Sequence, residues 1–175
     1  AAEFRERNRS AEEIDRDSIF EAKLQVLQEL FSKGMTPERR TAFSEYQRRE
    51  GRGLRNFALW CAETELSRHS GRRHALSLDV NDLAEFYSWL QFLCDEQLDA
   101  AQRRALEAGM SIGLITDMAV GIHPAGADAV NLAEYLAPQC SVGAPPDDYN
   151  QQGQDWSQPP WHPVRLAEAG YEPWR

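Results

Sequence analysis

GMSIGLITD, residues 109–117, is the stretch on which the fold turns. Met110, Ile112, Leu114 and Ile115 make a short apolar run between Gly109 and Asp117. A continuous apolar run bounded by turn residues reads as a strand buried on both faces. A long helical pattern precedes it, and a helix followed by such a strand is half of an α/β repeat. The strand has no obvious mate. A lone two-faced strand leaves N–H and C=O groups unpaired along both edges. No internal repeat supplies neighbours. The expectation is a mainly α chain whose one strand, 110–116, belongs to a larger sheet.

Upstream, helical periodicity dominates. Ile19, Phe20, Leu24, Leu27, Leu30 and Phe31, with the stem of Lys23, form one stripe from about Asp17 to Ser32, and Gly34 ends it. Thr36-Pro37-Glu38 starts a second helix: a capping hydroxyl, proline at the first helical position, then an acid at the positive dipole end. Gly51 and Gly53 should break it, and Leu54 to about Ser67 forms a third. Asp79 or Asn81 caps the longest helix, which runs to about Ala108. Its stripe is Leu83, Phe86, Tyr87, Leu90, Leu93, Cys94, Gln97, Leu98, Ala101, Ala105 and Leu106, widened by Trp89 and Phe92. Short helices are expected near Asn131 to Tyr135 and Pro163 to Ala169. A boundary at 78/79 divides a helical subdomain, 1–78, from a unit, 79–175, that carries the long helix, the strand and a loop.

Composition limits the function. With 42% hydrophobic and 27% charged residues the chain is globular. A net charge of −9 argues against a nucleic-acid groove, which needs a basic stripe, and against an anionic membrane surface. The opening AAEFRERNRS has no apolar signal core, and no run approaches the ~18 residues of a membrane span. A soluble, cytoplasmic protein is expected. Cys61, Cys94 and Cys140 read as buried reduced thiols. His69 and His74 sit in a basic turn without carboxylates and read as solvated. The Gly51-x-Gly53 pair has no strand before it and reads as a turn, not a phosphate cradle.

The loop that follows is unusual. GAPPDDYNQQGQDWSQPPW, residues 143–161, is too rich in Pro, Gly, Asn and Gln for a helix or strand. It is long and aromatic, and such loops are usually functional or disordered. Its carboxylates and amides suit sugar hydroxyls. Its Tyr149, Trp156 and Trp161 suit pyranose faces, whose C–H groups meet a π-face. Asp117, at the end of the expected strand, stands where barrel active sites are built, although an Asx turn would also place an aspartate there.

GLITDMAVGIHPAGADAV (113–130) and SVGAPPDDYNQQGQDWSQPPWHP (141–163) resemble the 4-α-glucanotransferase, or amylomaltase, family. NFALWCAETE (56–65) and FYSWLQFLCDEQL (86–98) are similar to its helical segments. The resemblance is strong over 84–174 and weak before 53. It implies a parent (β/α)8 barrel with helical insertions that transfers α-1,4-glucan segments through a covalent glycosyl-enzyme, with no metal or organic cofactor. Retaining chemistry of this kind uses two carboxyl groups roughly 5–5.5 Å apart. On the matching motifs, Asp117 would accept sugar hydroxyls, Asp147 would be the acid of the PPD loop, and Tyr149 would cover the glucan. Gly153, Gln154 and Trp156 would supply polar contacts and a stacking wall. Asp148 departs from the pattern, standing where an aromatic is frequent, and Val130 stands where Trp is common.

The resemblance also implies that the nucleophile, in an Arg-x-Asp-His motif, and the acid/base glutamate lie beyond Tyr171-Glu172-Pro173. Residues 1–175 alone are therefore expected to bind α-1,4-glucan or maltooligosaccharide without catalysis, and to self-associate through uncovered apolar faces. A free-standing helical carbohydrate-binding or association module is the alternative.

Overall fold

The computed structural model describes residues 2–7, 9, 15–68, 79–117, 119 and 121–174. His69, His74 and the 78/79 boundary lie outside them. The chain divides into two compact units, 1–48 and 49–175.

The first unit holds α1 (Ala2–Arg7), α2 (Arg16–Ser32) and the start of α3 (Pro37–Arg68). Asp15 caps α2 by accepting the Ser18 N–H at 3.1 Å. Gly34, at φ 78°, follows its end, as a left-handed stop requires. Thr36 caps α3 as expected, its Oγ1 accepting the Arg39 N–H at 3.3 Å. Phe43 and Tyr46 are buried, but no residue of α2 is, and Phe20 is 62% exposed. The expected stripe on α2 exists as a periodicity but is only partly covered, with Ile19, Leu24, Leu27 and Phe31 half-exposed.

In the second unit α3 continues past one break rather than two. Gly51 has φ 60° and ψ −131°, outside helical space, whereas Gly53 is helical. The expected break between two helices is therefore present, as a kink at Gly51 alone. Beyond the kink, Leu54, Ala58 and Ala62 are buried, at the 4-residue spacing of one helical face. The partner is α4 (Val80–Glu107), capped by Asp79, whose carboxylate accepts the N–H groups of Asn81 and Asp82 at 2.8 and 2.9 Å. Two links fix the pair as antiparallel: Arg49 with Asp95 at 2.7 Å, and the Tyr87 hydroxyl donating to the buried Glu65. Leu83, Ala84, Phe86, Trp89 and Phe92 form the buried face of α4. That burial ends after the first half. Leu98 and Leu106 are 58% and 46% exposed, so the long stripe is a core face only near its N-terminal end. Burial pushes the half-buried Cys61 thiol up to about 11, with Glu65 adding to the effect. Cys94 and Cys140 are exposed, against expectation.

Residues 110–116 are not a strand. Met110, Ile112, Leu114 and Ile115 are exposed, Ile115 by 79%. A strand exists only where a second strand pairs with it, and among the described residues no strand pairs with this segment. One side chain takes that place. Gln102 of α4 donates its amide to the Ile112 carbonyl at 3.0 Å and accepts the Leu114 N–H at 2.6 Å. Between them Gly113, at φ 82°, lies so close that an added Cβ would stand 2.3 Å from Gln102 Oε1.

The remainder is compact and short-ranged. Helix α5 (Ala127–Asn131) leads into a 3-10 turn, Ala133–Tyr135. Two strands follow, β1 (Val142–Ala144) and β2 (Gln154–Gln158), antiparallel to each other. They correct the expectation that residues 143–161 contain no strand. Helix α6 (Pro163–Glu168) is capped by His162 Nδ1, and a second 3-10 turn, Glu172–Trp174, closes the chain. Leu136 pairs with Trp161 across the base, where the Ala137 N–H reaches the Pro160 carbonyl and the His162 N–H the Tyr135 carbonyl. Trp161 meets Trp174 edge-on at 5.6 Å. Tyr135 donates to Glu172 at 3.2 Å, and desolvation and then this carboxylate raise its phenol above the usual value.

Candidate functional site: the hairpin at residues 142–158

The strand pairing is short, and its irregularity matters. Gly143 pairs with Asp155 and Ala144 with Gln154, but Val142 pairs with Gln158. One step along β1 therefore matches three along β2. Trp156 and Ser157 are the extra residues of a bulge, a device that re-aims side chains. Gly143 is obligatory at its place. An added Cβ there would stand 2.0 Å from the Gln154 carbonyl oxygen, which is backbone and cannot swing away.

Between the strands, residues 145–153 shape themselves. The Asp147 carboxylate accepts the N–H groups of Tyr149 at 2.9 Å and Asn150 at 2.6 Å, an Asx turn that substitutes for a backbone turn. The Asp147 N–H returns to the Asn150 carbonyl at 3.0 Å, and Gly153 reaches the same carbonyl at 3.1 Å. Gly153 has φ 73°, and a Cβ would fall 2.8 Å from the Ala144 carbonyl, so glycine answers both the handedness and the space. The turn leaves Tyr149 fully exposed, at 100%. Asp148 is exposed beside it.

On β2, Trp156 donates its indole N–H to Gln154 Oε1 at 2.9 Å. Ring and amide thus form one surface, with the ring 43% exposed. Asp155, between them in sequence, belongs to a different set. Its Oδ1 accepts the Ser157 N–H at 2.7 Å and the Ser141 hydroxyl. Ser141 first, then the Ser157 N–H, hold this exposed carboxyl below the usual carboxylate range. Ser157 is a non-glycine residue at φ 54°.

The structure thus brings Asp147, Tyr149 and Gly153 into one turn, and Gln154 and Trp156 into one surface. Asp117 is exposed, and among the described residues no hydrogen bond or ion pair joins it to the hairpin. Its segment does approach: Gly121 lies against Gln158, with an added Cβ 2.1 Å from Gln158 Oε1. Sequence reading missed Ser141, Asp155 and Ser157. A serine in a left-handed conformation carries no compositional signal, although the Asx-type spacing of Asp155 to Ser157 was there to be read.

A concavity of about 300 Å³ opens beside the hairpin base, lined by Pro124, Ala129, Leu136, Pro138, Ser141 and Ser157 among others. None of the expected binding residues lines it. Among the described residues no three His, Cys, Asp or Glu side chains gather where a metal ion could sit, and no helix is long and apolar enough to cross a membrane.

The chain belongs to the 4-alpha-glucanotransferase family, glycoside hydrolase family 77, whose profile matches residues 1–175. A 4-alpha-glucanotransferase of Mycobacterium bovis is 46% identical, over 93% of this chain and 24% of its own length. That of Haemophilus influenzae is 29% identical, over 94% of this chain and 28% of its own. The crystal structure of amylomaltase from Corynebacterium glutamicum superposes with a TM-score of 0.91 at 59% identity, over 99% of this chain and 25% of that one. The chain spans about a quarter of the length of these relatives.

Proposed function

We propose that the protein is a 4-α-glucanotransferase that passes segments of α-1,4-glucan from one chain to another, and that residues 142–158 form a wall and lid of its glucan cleft. The observation that carries this reading is the family match across residues 1–175. The hairpin's chemistry supports it. Tyr149 and Trp156 offer ring faces to sugar C–H groups. Gln154, Asp148 and Asp117 offer exposed acceptors for hydroxyls.

We assign the carboxylates of the hairpin to binding and shape, not to bond cleavage. Asp147 spends an oxygen on two backbone N–H groups of its own turn, and Asp155 spends one on Ser141 and Ser157. A retaining mechanism needs a nucleophile and an acid/base roughly 5–5.5 Å apart across the sugar, and we place that pair in a (β/α)8 barrel outside these residues. The arrangement favours an acceptor sugar over water, because exposed aromatic faces retain a pyranose better than they retain water.

Maltotriose is the test. The full-length protein should release glucose and build longer maltooligosaccharides, and residues 1–175 alone should do neither. Trp156→Ala should raise KM for the glucan about tenfold, the loss of about 1.4 kcal/mol of binding. Hydrolysis without transfer, or an unchanged KM, would sink the reading.

A further inference from the structure

Trp156 owes its direction to a departure from regular strand geometry. It and Ser157 are extruded from the ladder, because Gly143 pairs with Asp155 while Val142 pairs with Gln158. An ordinary strand would continue past Trp156 with side chains alternating between faces. Here Ser157 turns left-handed at φ 54°, a conformation unfavourable for any residue with a Cβ. Something must hold it there. The acceptor is Asp155, whose Oδ1 takes the Ser157 N–H at 2.7 Å and also the Ser141 hydroxyl from the residue preceding β1. One oxygen thus ties the bulged residue to the opposite strand's entry. Trp156 sits between the two tied positions, so its ring is aimed by a clamp that never touches it.

We infer that Asp155 is a positioning residue for glucan binding: with Ser141 it sets the bulge that presents Trp156 and Gln154 as one sugar-contacting surface. The inference rests on the glucan-binding reading of the hairpin. It adds a specificity-determining element, because the angle of a stacking ring decides which pyranose face it accepts.

The test uses the full-length protein with maltooligosaccharides and a 5-fluorotryptophan probe. The fluorine resonance of Trp156 is assigned by its loss in Trp156→Phe. Asp155→Ala should shift that resonance and raise KM about tenfold, with kcat within about twofold of wild type. Asp155→Asn keeps an acceptor oxygen, so it should restore the resonance and bring KM to within about threefold of wild type. Adding Trp156→Ala to Asp155→Ala should cost nothing further, since the two act on the same contact. An unmoved resonance overturns the inference, and so do fully additive effects. Should the wild type transfer no glucan, the proposed function fails and the resonance alone decides: a shift in Asp155→Ala reversed by Asp155→Asn supports the clamp, and no shift overturns it.

Discussion

The hairpin at 142–158 and the segment at 109–117 make opposite use of the same need. Both must satisfy backbone N–H and C=O groups near the surface. The hairpin does so within itself, through strand pairing, the Asp147 turn and the Asp155 clamp. The apolar segment has no ladder and takes what Gln102 offers, one donor and one acceptor on a neighbouring helix. The difference separates a locally determined element from one whose conformation depends on its surroundings. Polar side chains at close spacing make the first kind, and a bare apolar run makes the second.

That contrast can be broken at three points. The largest effect is expected from Gly143→Val. Its Cβ has no room beside the Gln154 carbonyl, so the strands must part. Amide exchange should accelerate throughout β1 and β2, and kcat/KM should fall about a hundredfold, or about 2.7 kcal/mol, while the amide of Leu114 keeps its protection. Gln102→Ala should do the reverse on a smaller scale. Removing two hydrogen bonds of an exposed pair costs about 1 kcal/mol, read as several-fold faster exchange at Leu114 with β2 unchanged. Equal loss in both regions from either substitution would mean that they form one cooperative element. Acid gives the smallest effect and a clean sign. The carboxyl of Asp155 has a folded value below its ordinary 3.8. Its stabilising contribution is therefore complete above that ordinary value and disappears as pH falls through the lower folded one. Protection at the Ser157 amide should drop only below about pH 3.8, whereas the Gln102 contacts, made by an amide that does not titrate, should not respond.

Much of the helical framework was legible because its signals are local. Thr36 and Asp79 cap where their side chains reach the first free N–H groups, and Gly34 stops a helix by its handedness. What was not legible depended on partners. Ile112 to Ile115 look like a buried strand because apolar residues cluster there, yet clustering says nothing about who pairs with them. Gln154 to Gln158 look like a loop because they are polar, yet β1 pairs with them. Leu98 and Leu106 continue the stripe of α4, but burial is decided by a second surface that stops short of them. In the candidate site, Tyr149, Gln154 and Trp156 could be named from residue type alone. Their aim could not, because it depends on Ser157's dihedral angle and on a hydrogen bond from Ser141.

Gly143 acts as a key cut for a single lock. The missing Cβ lets one carbonyl, that of Gln154, come within reach; slide either strand by a residue and Val142 or Ala144 would bring a side chain to that point. The strands can therefore close only one way, and the length of chain between them is set by that closure rather than by the turn itself. A residue added anywhere in 145–153 would have to be absorbed as a looser turn, swinging Tyr149 off its perch while the ladder below stayed still. Insertions in this loop should thus move Tyr149 long before they change how stably the hairpin folds.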